Sequence, residues 1–359
     1  MRISRMTRCL LQTTAVVAFS SQVFAAEPMP MNGGADIAGM CGTKPAVVAL
    51  ADGYGGDTWR KIALAEFKDE AAKCPNITKV LYTDAAGNAQ KANSDLNSLV
   101  AQGANVIVVA PDFGPQLIPA MRSATKAGVV VIPYNAKLPG KEGVDYAANV
   151  VQDVGTIATK WSDWLGDHMK TGNMLYFSGP AGTAYSKNFM ERIKENVARH
   201  PGIKLLDDNY IVTNWNPADA QKAASGAMAK YPQIDVVGVD VGPVGVAVIR
   251  SFQQAGLKVP FVVSMASNNE MNCMWVDAKK EGKAWPYLTL DSTTTQTRIA
   301  LRRGISIYEG TKNPDSTTVA AVLYADSFAN KEPTCDKTAP LDADFSGQLT
   351  PEKLKAIFK

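Results

Sequence analysis

The stretch "AVVALADGYGGDTWRKIALAEF", residues 46–67, joins an apolar run to a loop with three glycines and then to a helical pattern. The apolar run is typical of a buried strand, and glycines allow the backbone to turn tightly between strand and helix. Asp57 stands at the position of an N-cap for that helix. A strand, a tight loop and a helix in this order form the first half of a βαβ unit, so the stretch predicts an α/β fold.

The same alternation of strand and helix continues along the chain. The first half has alternating strand and helix candidates at 46–50, 60–74, 79–85, 88–102, 105–111, 115–127 and 129–135. A second series follows at 152–170, 173–179, 185–199, 203–211, 217–230, 236–242, 244–255 and 261–267. Because the strands are apolar along their whole length, we expect parallel sheets that are covered on both faces. The pattern predicts two similarly built Rossmann-like lobes, followed by an irregular segment after Asn313.

The composition of the chain excludes some classes of partner. The chain has 359 residues, 20% of them charged, and a formal net charge of +3. This length is sufficient for two domains, and the charge is too small to favour a nucleic acid partner. We therefore expect a small-molecule ligand, with no nucleic acid, no metal and no cofactor.

The first residues have the features of an export signal. Arg2, Arg5 and Arg8 precede an apolar core that ends in a small-x-small cleavage site at residues 23–25. Residues 1–25 are therefore predicted to be a signal peptide, and no later run is long and apolar enough to span a membrane. We expect a protein that is exported to the periplasm.

Four cysteines follow the predicted signal peptide, and an even number favours disulfides in an oxidising compartment. The count alone is compatible with any of three pairings. Cys41 precedes the first strand and Cys74 ends the first helix, so we expect these two to pair. Cys273 is then expected to pair with Cys335, and no C-x-x-C spacing supports a zinc site.

Ligands of open α/β sheets bind at the carboxyl ends of the strands. The residues near the predicted strand ends are rich in aromatic, carboxylate and amide side chains. The candidate ligand-binding residues are Asp52, Tyr54, Trp59, Arg60, Asp112, Tyr134, Asn135, Tyr185, Lys187, Trp215, Asp240, Asn268, Asn269 and Asp291. Carboxylates and amides pair with the hydroxyls of a polyol, and flat aromatic rings suit the apolar C–H faces of a sugar. These residues favour a neutral, sugar-like ligand.

Two other functions fit parts of the same pattern. An enzyme has little support, because His168 and His200 stand near predicted helix ends and no G-x-S-x-G, H-E-x-x-H or Walker motif is present. Paired strand-end carboxylates remain compatible with acid–base catalysis. A dinucleotide site would use the glycine loop, with Asp84 at the ribose, but Thr58 replaces the third glycine of that fingerprint. We expect a binding protein rather than an enzyme.

The order of several motifs resembles one known family. These motifs are "GYGGDTWR", "NVIVVAP", "VVVIPYN", "SGPAGTAYSKNFMERIKENV" and "IDVVGVDVGPVGVAVIRSFQQAG". Together they resemble the periplasmic solute-binding proteins of ABC sugar importers, in the ribose-binding-like branch, from about residue 44 to residue 310. The resemblance implies a type I periplasmic binding protein, with two lobes joined by a three-segment hinge and a ligand trapped between them.

The resemblance also implies a domain organisation and a partner. The first lobe is expected to comprise residues 44–148 and 292–325, and the second lobe residues 149–291 and 326–359. The expected function is extracytoplasmic binding of a sugar or polyol by a monomer and its delivery to an ABC permease in the inner membrane. A receptor for a sensor or chemotaxis partner, and a site for a non-sugar ligand, remain alternatives.

Individual site positions follow from the same resemblance. Trp59 and Trp215 are expected to supply stacking rings from the two lobes. The fourth-strand position that holds Asp-Arg in relatives reads Asn135-Ala136 here, and Lys187 replaces the second-lobe arginine. The other implied polar residues are Asp240, Asp291 and either Asn268 or Asn269. Because the positions that clamp the sugar differ, the resemblance does not identify which sugar is bound.

Overall fold

The computed structural model describes residues 28–358, so the predicted signal peptide, residues 1–25, lies outside the described residues. The strands form two sheets of seven strands each. The first sheet contains β1 (Met29–Pro30), β2 (Ala46–Asp52), β3 (Ile77–Asp84), β4 (Val106–Val109), β5 (Val130–Asn135), β6 (Val150–Gln152) and β13 (Thr318–Ala320). The second contains β7 (Gly172–Ser178), β8 (Ile203–Leu205), β9 (Ile211–Val212), β10 (Val236–Val239), β11 (Phe261–Ser264), β12 (Tyr287–Asp291) and β14 (Val322–Asp326). We call each sheet with its helices a lobe.

The α-helices of the described part are α1 (Thr58–Ala71), α2 (Ala89–Ala101), α3 (Ile118–Lys126), α4 (Val154–His168), α5 (Ala184–Val197), α6 (Pro217–Lys230), α7 (Gly242–Gln254), α8 (Asn269–Lys280), α9 (Gln296–Glu309) and α10 (Pro351–Ala356). As predicted, Asp57 caps α1, and its carboxylate accepts a hydrogen bond from the backbone N–H of Arg60 at 2.8 Å. Within residues 28–358, no helix has both the length and the apolar character needed to cross a membrane.

Both sheets have the topology of the predicted α/β class. The strand order is β1-β13-β6-β5-β4-β2-β3 in the first sheet, which is parallel throughout. In the second sheet the order is β14-β12-β11-β10-β7-β8, with β9 beside β7 and β14 antiparallel to β12. The carboxyl ends of parallel strands lie at the same edge, so each sheet brings its strand-end loops together on one side.

Three chain crossings join the lobes upstream of residue 327, and two of them differ from the expected boundaries. The chain crosses between β6 and β7, between β12 and β13, and between β13 and β14. Strand β6 at 150–152 pairs with β5 in the first sheet, although the expected boundary was at 148. Strand β14 at 322–326 pairs with β12 in the second sheet, although residues up to 325 were expected in the first lobe. The alternation pattern does not reveal which sheet a three- to five-residue strand joins, since only its hydrogen-bonding partner decides that.

Buried charges join α1 to α9 in the first lobe. Arg298 pairs with Glu66, and its Nη1 donates to Glu70 Oε2 at 2.8 Å. Arg302 Nε donates to the other oxygen of Glu70 at 2.5 Å. Each buried charge therefore has a partner of opposite sign, as stable burial of charge requires. Helix α9 follows β12 of the second sheet along the chain. The network therefore attaches the chain to the first lobe at the point where it comes back from the second lobe.

The segment after Asn313 is more regular than the sequence predicts. It contains β13, β14 and α10, and Leu354 of α10 packs in a small apolar cluster with Ile62 of α1. Residues 327–358, which we call the C-terminal segment, follow the last strand. Strands β13 and β14 are stabilised by pairing with β6 and β12 of the two sheets. The Pro-, Asp- and Thr-rich composition of the segment therefore does not predict them.

Both expected disulfides are present. Cys41 pairs with Cys74, which ties the segment before β2 to the end of α1. Cys273 pairs with Cys335, which ties α8 of the second lobe to the C-terminal segment.

Candidate functional site

A cavity of about 50 Å³ lies between the lobes, at the carboxyl ends of the two sheets. Trp59 and Arg60 reach it from the first turn of α1, and Asn135 from the end of β5. Trp215 and Asp240 reach it from the loops that follow β9 and β10. The lining residues are Asp57, Thr58, Trp59, Arg60, Asn135, Gln152, Tyr185, Trp215, Asp240, Val241, Pro243 and Met265.

The cavity opens toward a wider cleft of about 700 Å³, with which it shares Asn135, Gln152 and Tyr185. The inner cavity has room for a few water molecules. A ligand the size of a pentose therefore enters only when side chains or lobes move apart.

The Arg60 guanidinium is held by two carboxylates of the first lobe. Its Nη1 donates to Asp52 Oδ1 at 2.8 Å and its Nη2 donates to Asp112 Oδ1 at 2.9 Å, and all three side chains are buried. Gly53 permits the approach of Asp112, since a Cβ at that position would lie 2.4 Å from Asp112 Oδ2. Burial raises the pKa of Asp52 to about 6, and the Arg60 charge opposes that rise. The three groups together carry one net negative charge when both carboxyls are ionised.

Aromatic rings from both lobes surround this guanidinium. Arg60 Cζ lies 5.1 Å from the ring centroid of Trp59 and 5.8 Å from that of Trp215, within the range of cation–π attraction. The Trp59 indole N–H donates to Thr293 Oγ1 at 2.7 Å, next to the second crossing. The Trp215 ring covers Gly179, where a Cβ would lie 2.4 Å from ring atoms. Hydrogen bonds and close packing thus fix both rings.

Asp240 is the buried carboxylate of the second lobe. Its Oδ2 accepts hydrogen bonds from Trp215 Nε1 at 2.8 Å and from Ser178 Oγ at 2.6 Å. Burial raises the pKa of Asp240 to about 6, while these two hydrogen bonds oppose the rise. No cation pairs with Asp240 among the ion pairs of residues 28–358.

Several buried oxygen atoms around the cavity have no hydrogen-bond partner within the described chain. Two of them, Oδ1 of Asn135 and Oδ1 of Asp240, belong to residues that line the cavity. The other three are Oδ2 of Asp52, Oδ2 of Asp112 and the hydroxyl of Tyr134, which belong to residues near Arg60 that do not line the cavity. A buried polar atom without a partner costs free energy, so such atoms are uncommon in folded proteins. Most of these oxygens are acceptors, and they therefore require a partner that donates hydrogen bonds.

Two cavity residues have a strained backbone. Asn135 has φ of 72° and Trp215 has φ of 52°, both in the left-handed region that residues other than glycine seldom adopt. Strain of this kind is concentrated at functional sites, where it fixes a side-chain direction.

Three predicted aromatic residues lie at different depths around the cavity. Tyr54 is not among the lining residues, but its ring centroid lies 5.3 Å from that of Phe113 and 5.8 Å from that of Trp215. Tyr185 lines the cavity, and its hydroxyl contacts the sulfur of Met265. Tyr134 is buried among the Arg60 and Asp52 charges and is not among the lining residues.

Asp52 and Asp112 pair with Arg60 but do not line the cavity. Four further predicted polar residues also lie outside it. Lys187 is exposed on α5. Asn268 caps α8, and the Asn269 amide donates to the carbonyls of the C-terminal segment. Asp291 accepts from the backbone N–H of Ser267 at 2.8 Å and is enclosed by serine hydroxyls. These four residues stand near strand ends, but the C-terminal segment covers all of them except Lys187.

Sequence reasoning did not single out Gln152, Met265 or Thr293. Gln152 ends β6, a strand too short to be recognised from its pattern. Met265 follows β11, which the apolar pattern extended to residue 267, so the true strand end was hidden. Correct boundaries for these strands would have identified both residues. Thr293 became visible only through its contact with Trp59.

Within residues 28–358, no three His, Cys, Asp or Glu side chains are grouped to hold a metal ion. The polar groups of the cavity lining are carboxylates, amides, hydroxyls and one guanidinium, and they lie beside aromatic rings. This arrangement is able to bind a small molecule by hydrogen bonds and ring contacts.

One curated relative matches part of the chain. It is a xylitol-binding protein of Mycolicibacterium smegmatis, 28% identical over 193 residues, which are 53% of this chain and 54% of the relative. The match spans about half the length of that relative.

Solved structures share the two-lobe fold. One is a 5-methylthioribose transporter solute binding protein from Thermotoga lettingae in complex with 5-methylthioribose, with a TM-score of 0.68 and 22% identity over 88% of this chain and 97% of that one. Another is a Caulobacter myo-inositol binding protein bound to myo-inositol, with a TM-score of 0.67 and 21% identity over 78% and 93% of the two chains.

A family model described as a periplasmic binding protein domain matches residues 48–300. This range begins in β2 and ends in α9, so it includes most strands of both sheets and the whole cavity lining. By its sequence and its fold, the chain belongs to the periplasmic binding protein family.

Proposed function

We propose that this protein binds a neutral sugar or polyol in the cavity between its lobes. The observation that carries the proposal is the pair of buried oxygens without partners, Asn135 Oδ1 and Asp240 Oδ1, which line the cavity beside two tryptophan rings from opposite lobes. Each hydroxyl of a polyol donates one hydrogen bond and accepts others, so a row of hydroxyls satisfies carboxylate and amide oxygens. The C–H faces of the same molecule pack against the rings of Trp59 and Trp215.

The charge of the site favours a neutral ligand over an anionic one. Both Nη atoms of the Arg60 guanidinium are already engaged, since Nη1 donates to Asp52 and Nη2 donates to Asp112. Asp240 adds a further carboxylate on the opposite wall. The anionic group of a sugar acid or sugar phosphate offers acceptors rather than donors and would meet like charge, which disfavours binding of such a ligand.

The biological role that we propose is delivery of this ligand to an ABC permease outside the cytoplasm, with the protein acting as a monomer. Membership of the periplasmic binding protein family and the name of the xylitol-binding relative support this role. A ligand that contacts both lobes at once would stabilise the closed arrangement of the lobes. Only contacts that differ between the open and closed states shift the equilibrium between them.

A thermal-shift screen of the protein tests the ligand class. We expect xylitol, myo-inositol or L-arabinose to raise the melting temperature, since a ligand at a hundredfold excess over its Kd adds about 2.7 kcal/mol to the free energy of unfolding. Glucuronate, amino acids and NAD serve as comparison ligands and are expected to leave the melting temperature unchanged. A shift with these comparison ligands alone would overturn the proposal.

Tryptophan variants test the site itself. We expect Trp59→Ala and Trp215→Ala each to weaken the affinity for the ligand found in the screen by about 1–3 kcal/mol, measured by calorimetric titration. Trp59→Phe and Trp215→Phe keep a flat ring and are expected to lose less. If the folded alanine variants bound as tightly as the unaltered protein, the rings would have no part in binding.

A further inference from the structure

The C-terminal segment forms a fourth connection between the lobes, and its first half is attached to the second lobe. Cys335 is linked to Cys273 of α8, and the Asn269 side chain accepts from Asp336 N at 3.0 Å and donates to Asp336 O at 2.7 Å. The backbone N–H groups of Asn269 and Glu270 donate to the carbonyls of Ala343 and Leu341, both at 2.8 Å. A covalent bond and a set of hydrogen bonds thus fix residues 335–343 on the start of α8.

The second half of the same segment is attached to the first lobe. The backbone N–H of Gln348 donates to Glu66 Oε1 of α1 at 2.8 Å, and its side chain donates to the carbonyl of Asn32 at 2.7 Å. Lys353 of α10 pairs with Asp69 of α1. Because α1 also carries Trp59 and Arg60, the segment ends on the helix that presents the first lobe's side of the cavity.

Asp342 lies where the segment passes from one lobe to the other. Its Oδ2 accepts from Thr58 Oγ1 of the first lobe at 3.0 Å, and its Oδ1 accepts from Asn268 Nδ2 of the second lobe at 3.0 Å. Thr58 lines the cavity next to Trp59, and Asn268 is the N-cap of α8. One carboxylate therefore joins the N-terminal end of α1 in the first lobe to that of α8 in the second lobe.

We propose that the C-terminal segment is a strap that holds the lobes together and that Asp342 is its bridging residue. A carboxylate spans two donors only while they lie a few ångströms apart, so its two hydrogen bonds exist only when Thr58 and Asn268 are close. Separation of the lobes breaks one of them. The strap thus stabilises the closed arrangement, in which the lobes lie close together. Part of the free energy that favours closure then comes from contacts outside the ligand site.

Small-angle X-ray scattering of the ligand-free protein tests the strap without any assumption about the ligand. We expect Asp342→Ala to give a larger radius of gyration than the unaltered protein, because both bridging hydrogen bonds are lost. Asp342→Asn retains one acceptor oxygen and is expected to give an intermediate value. The matched control is Asp336→Ala, since the Asp336 carboxylate accepts only from Thr338 within the strap.

A second variant covers the case in which Asp342→Ala does not fold. Thr58→Val removes the donor on the first lobe with little change in shape, and we expect it to enlarge the radius of gyration in the same way. In titrations with xylitol we expect Asp342→Ala to bind roughly fivefold more weakly, through the lower population of the closed state. Absence of xylitol binding would count against the proposed ligand class and leave the scattering result to decide on the strap.

The proposal would be overturned if the folded Asp342→Ala and Thr58→Val variants had the same scattering curve as the unaltered protein. It would also be overturned if Asp336→Ala enlarged the radius of gyration as much as Asp342→Ala. Circular dichroism and the melting temperature of each variant establish that the compared proteins are folded.

Discussion

The Arg60 side chain pairs with buried carboxylates of the first lobe and also lines the cavity. Its fork satisfies one oxygen each of Asp52 and Asp112, while its face lies near the Trp59 and Trp215 rings. Removal of one partner from a buried ion pair leaves an uncompensated charge, which costs more than the pair contributes. The residue therefore orders the first-lobe wall of the cavity before any ligand arrives.

Arg60→Met is expected to lower the free energy of unfolding by about 3–5 kcal/mol at pH 7.5. The loss should be smaller at pH 5, because the pKa of Asp52 is already about 6 with Arg60 present and the variant lacks the charge that opposes its rise. At pH 5 the carboxyl is then protonated and no longer needs a cation. Denaturant titrations at both pH values provide the measurement, with the half-exposed Arg250→Met as control. Equal losses at pH 5 and pH 7.5 would contradict this interpretation.

Asp240→Asn is expected to stabilise the ligand-free protein at neutral pH. The folded-state pKa of Asp240 is about 6 against an ordinary value of 3.8, so the native state binds a proton more readily than the unfolded state between those values. Stability therefore falls as the pH rises through that window, and the substitution removes a cost on the order of 1–3 kcal/mol at pH 7.5.

The gain from Asp240→Asn should decrease toward pH 4, because the folded-state aspartate is protonated there and the unfolded-state aspartate is partly protonated. Ligand affinity should decrease, since an acceptor of the cavity is lost. Melting temperatures between pH 4 and pH 8 and a ligand titration at pH 7.5 measure both effects. Asp208→Asn, on the exposed surface, is the matched control. A destabilising effect at every pH would show that burial of this charge is not costly.

The strand-end rule predicted the position of several single residues at the cavity. Trp59, Trp215, Asn135 and Asp240 were all proposed from strand ends, and all four line the cavity. Asn269 was proposed by the same rule and binds the C-terminal segment instead. The rule locates a residue near a sheet edge, but long-range packing decides whether solvent, ligand or another part of the chain covers it.

At the scale of elements, the strong patterns were predicted within a few residues and the weak ones were not. Helix α6 was predicted at 217–230 and has those bounds. The predicted strand 203–211 is instead divided into β8 and β9, because Asp207 and Asp208 lie in the irregular stretch between them. Strands β13 and β14 gain their stability from the neighbours with which they pair, and such neighbours are not visible in local sequence.

The Cys273–Cys335 disulfide connects α8 to the strap, and its removal is expected to be costly. Its sequence separation is 62 residues. The chain-entropy model gives a loss of about 4 kcal/mol for a loop of this size. We expect the Cys273→Ala/Cys335→Ala protein to unfold at lower denaturant concentration and to show faster hydrogen exchange at residues 336–343.

The Cys41→Ala/Cys74→Ala protein is the control for this prediction. We expect it to lose comparable stability without faster hydrogen exchange at residues 336–343. Unchanged exchange in that range of the Cys273→Ala/Cys335→Ala protein would mean that the hydrogen bonds to Asn269 and Glu270 hold the strap without the disulfide.

For the whole molecule, four connections control how the lobes can move. The three crossings upstream of residue 327 are covalent, while the strap reaches the first lobe only through hydrogen bonds, an ion pair and the packing of Leu354. The two-lobe organisation was predicted, since two successive βα series of similar length suggest two similarly built lobes, and the chain forms two sheets. The fourth connection was not, because the segment that forms it has no periodic pattern.

The disulfides also bear on how the molecule is made. Among residues 28–358 the first cysteine pairs with the second and the third with the fourth, and the two loops are consecutive along the chain. When a polypeptide emerges with its N-terminal side first and is oxidised as it emerges, the next cysteine to follow Cys41 is its native partner Cys74. Cys335 follows Cys273 in the same way. Correct pairing follows from the order of synthesis, so assembly of this protein places little demand on enzymes that reshuffle mispaired disulfides.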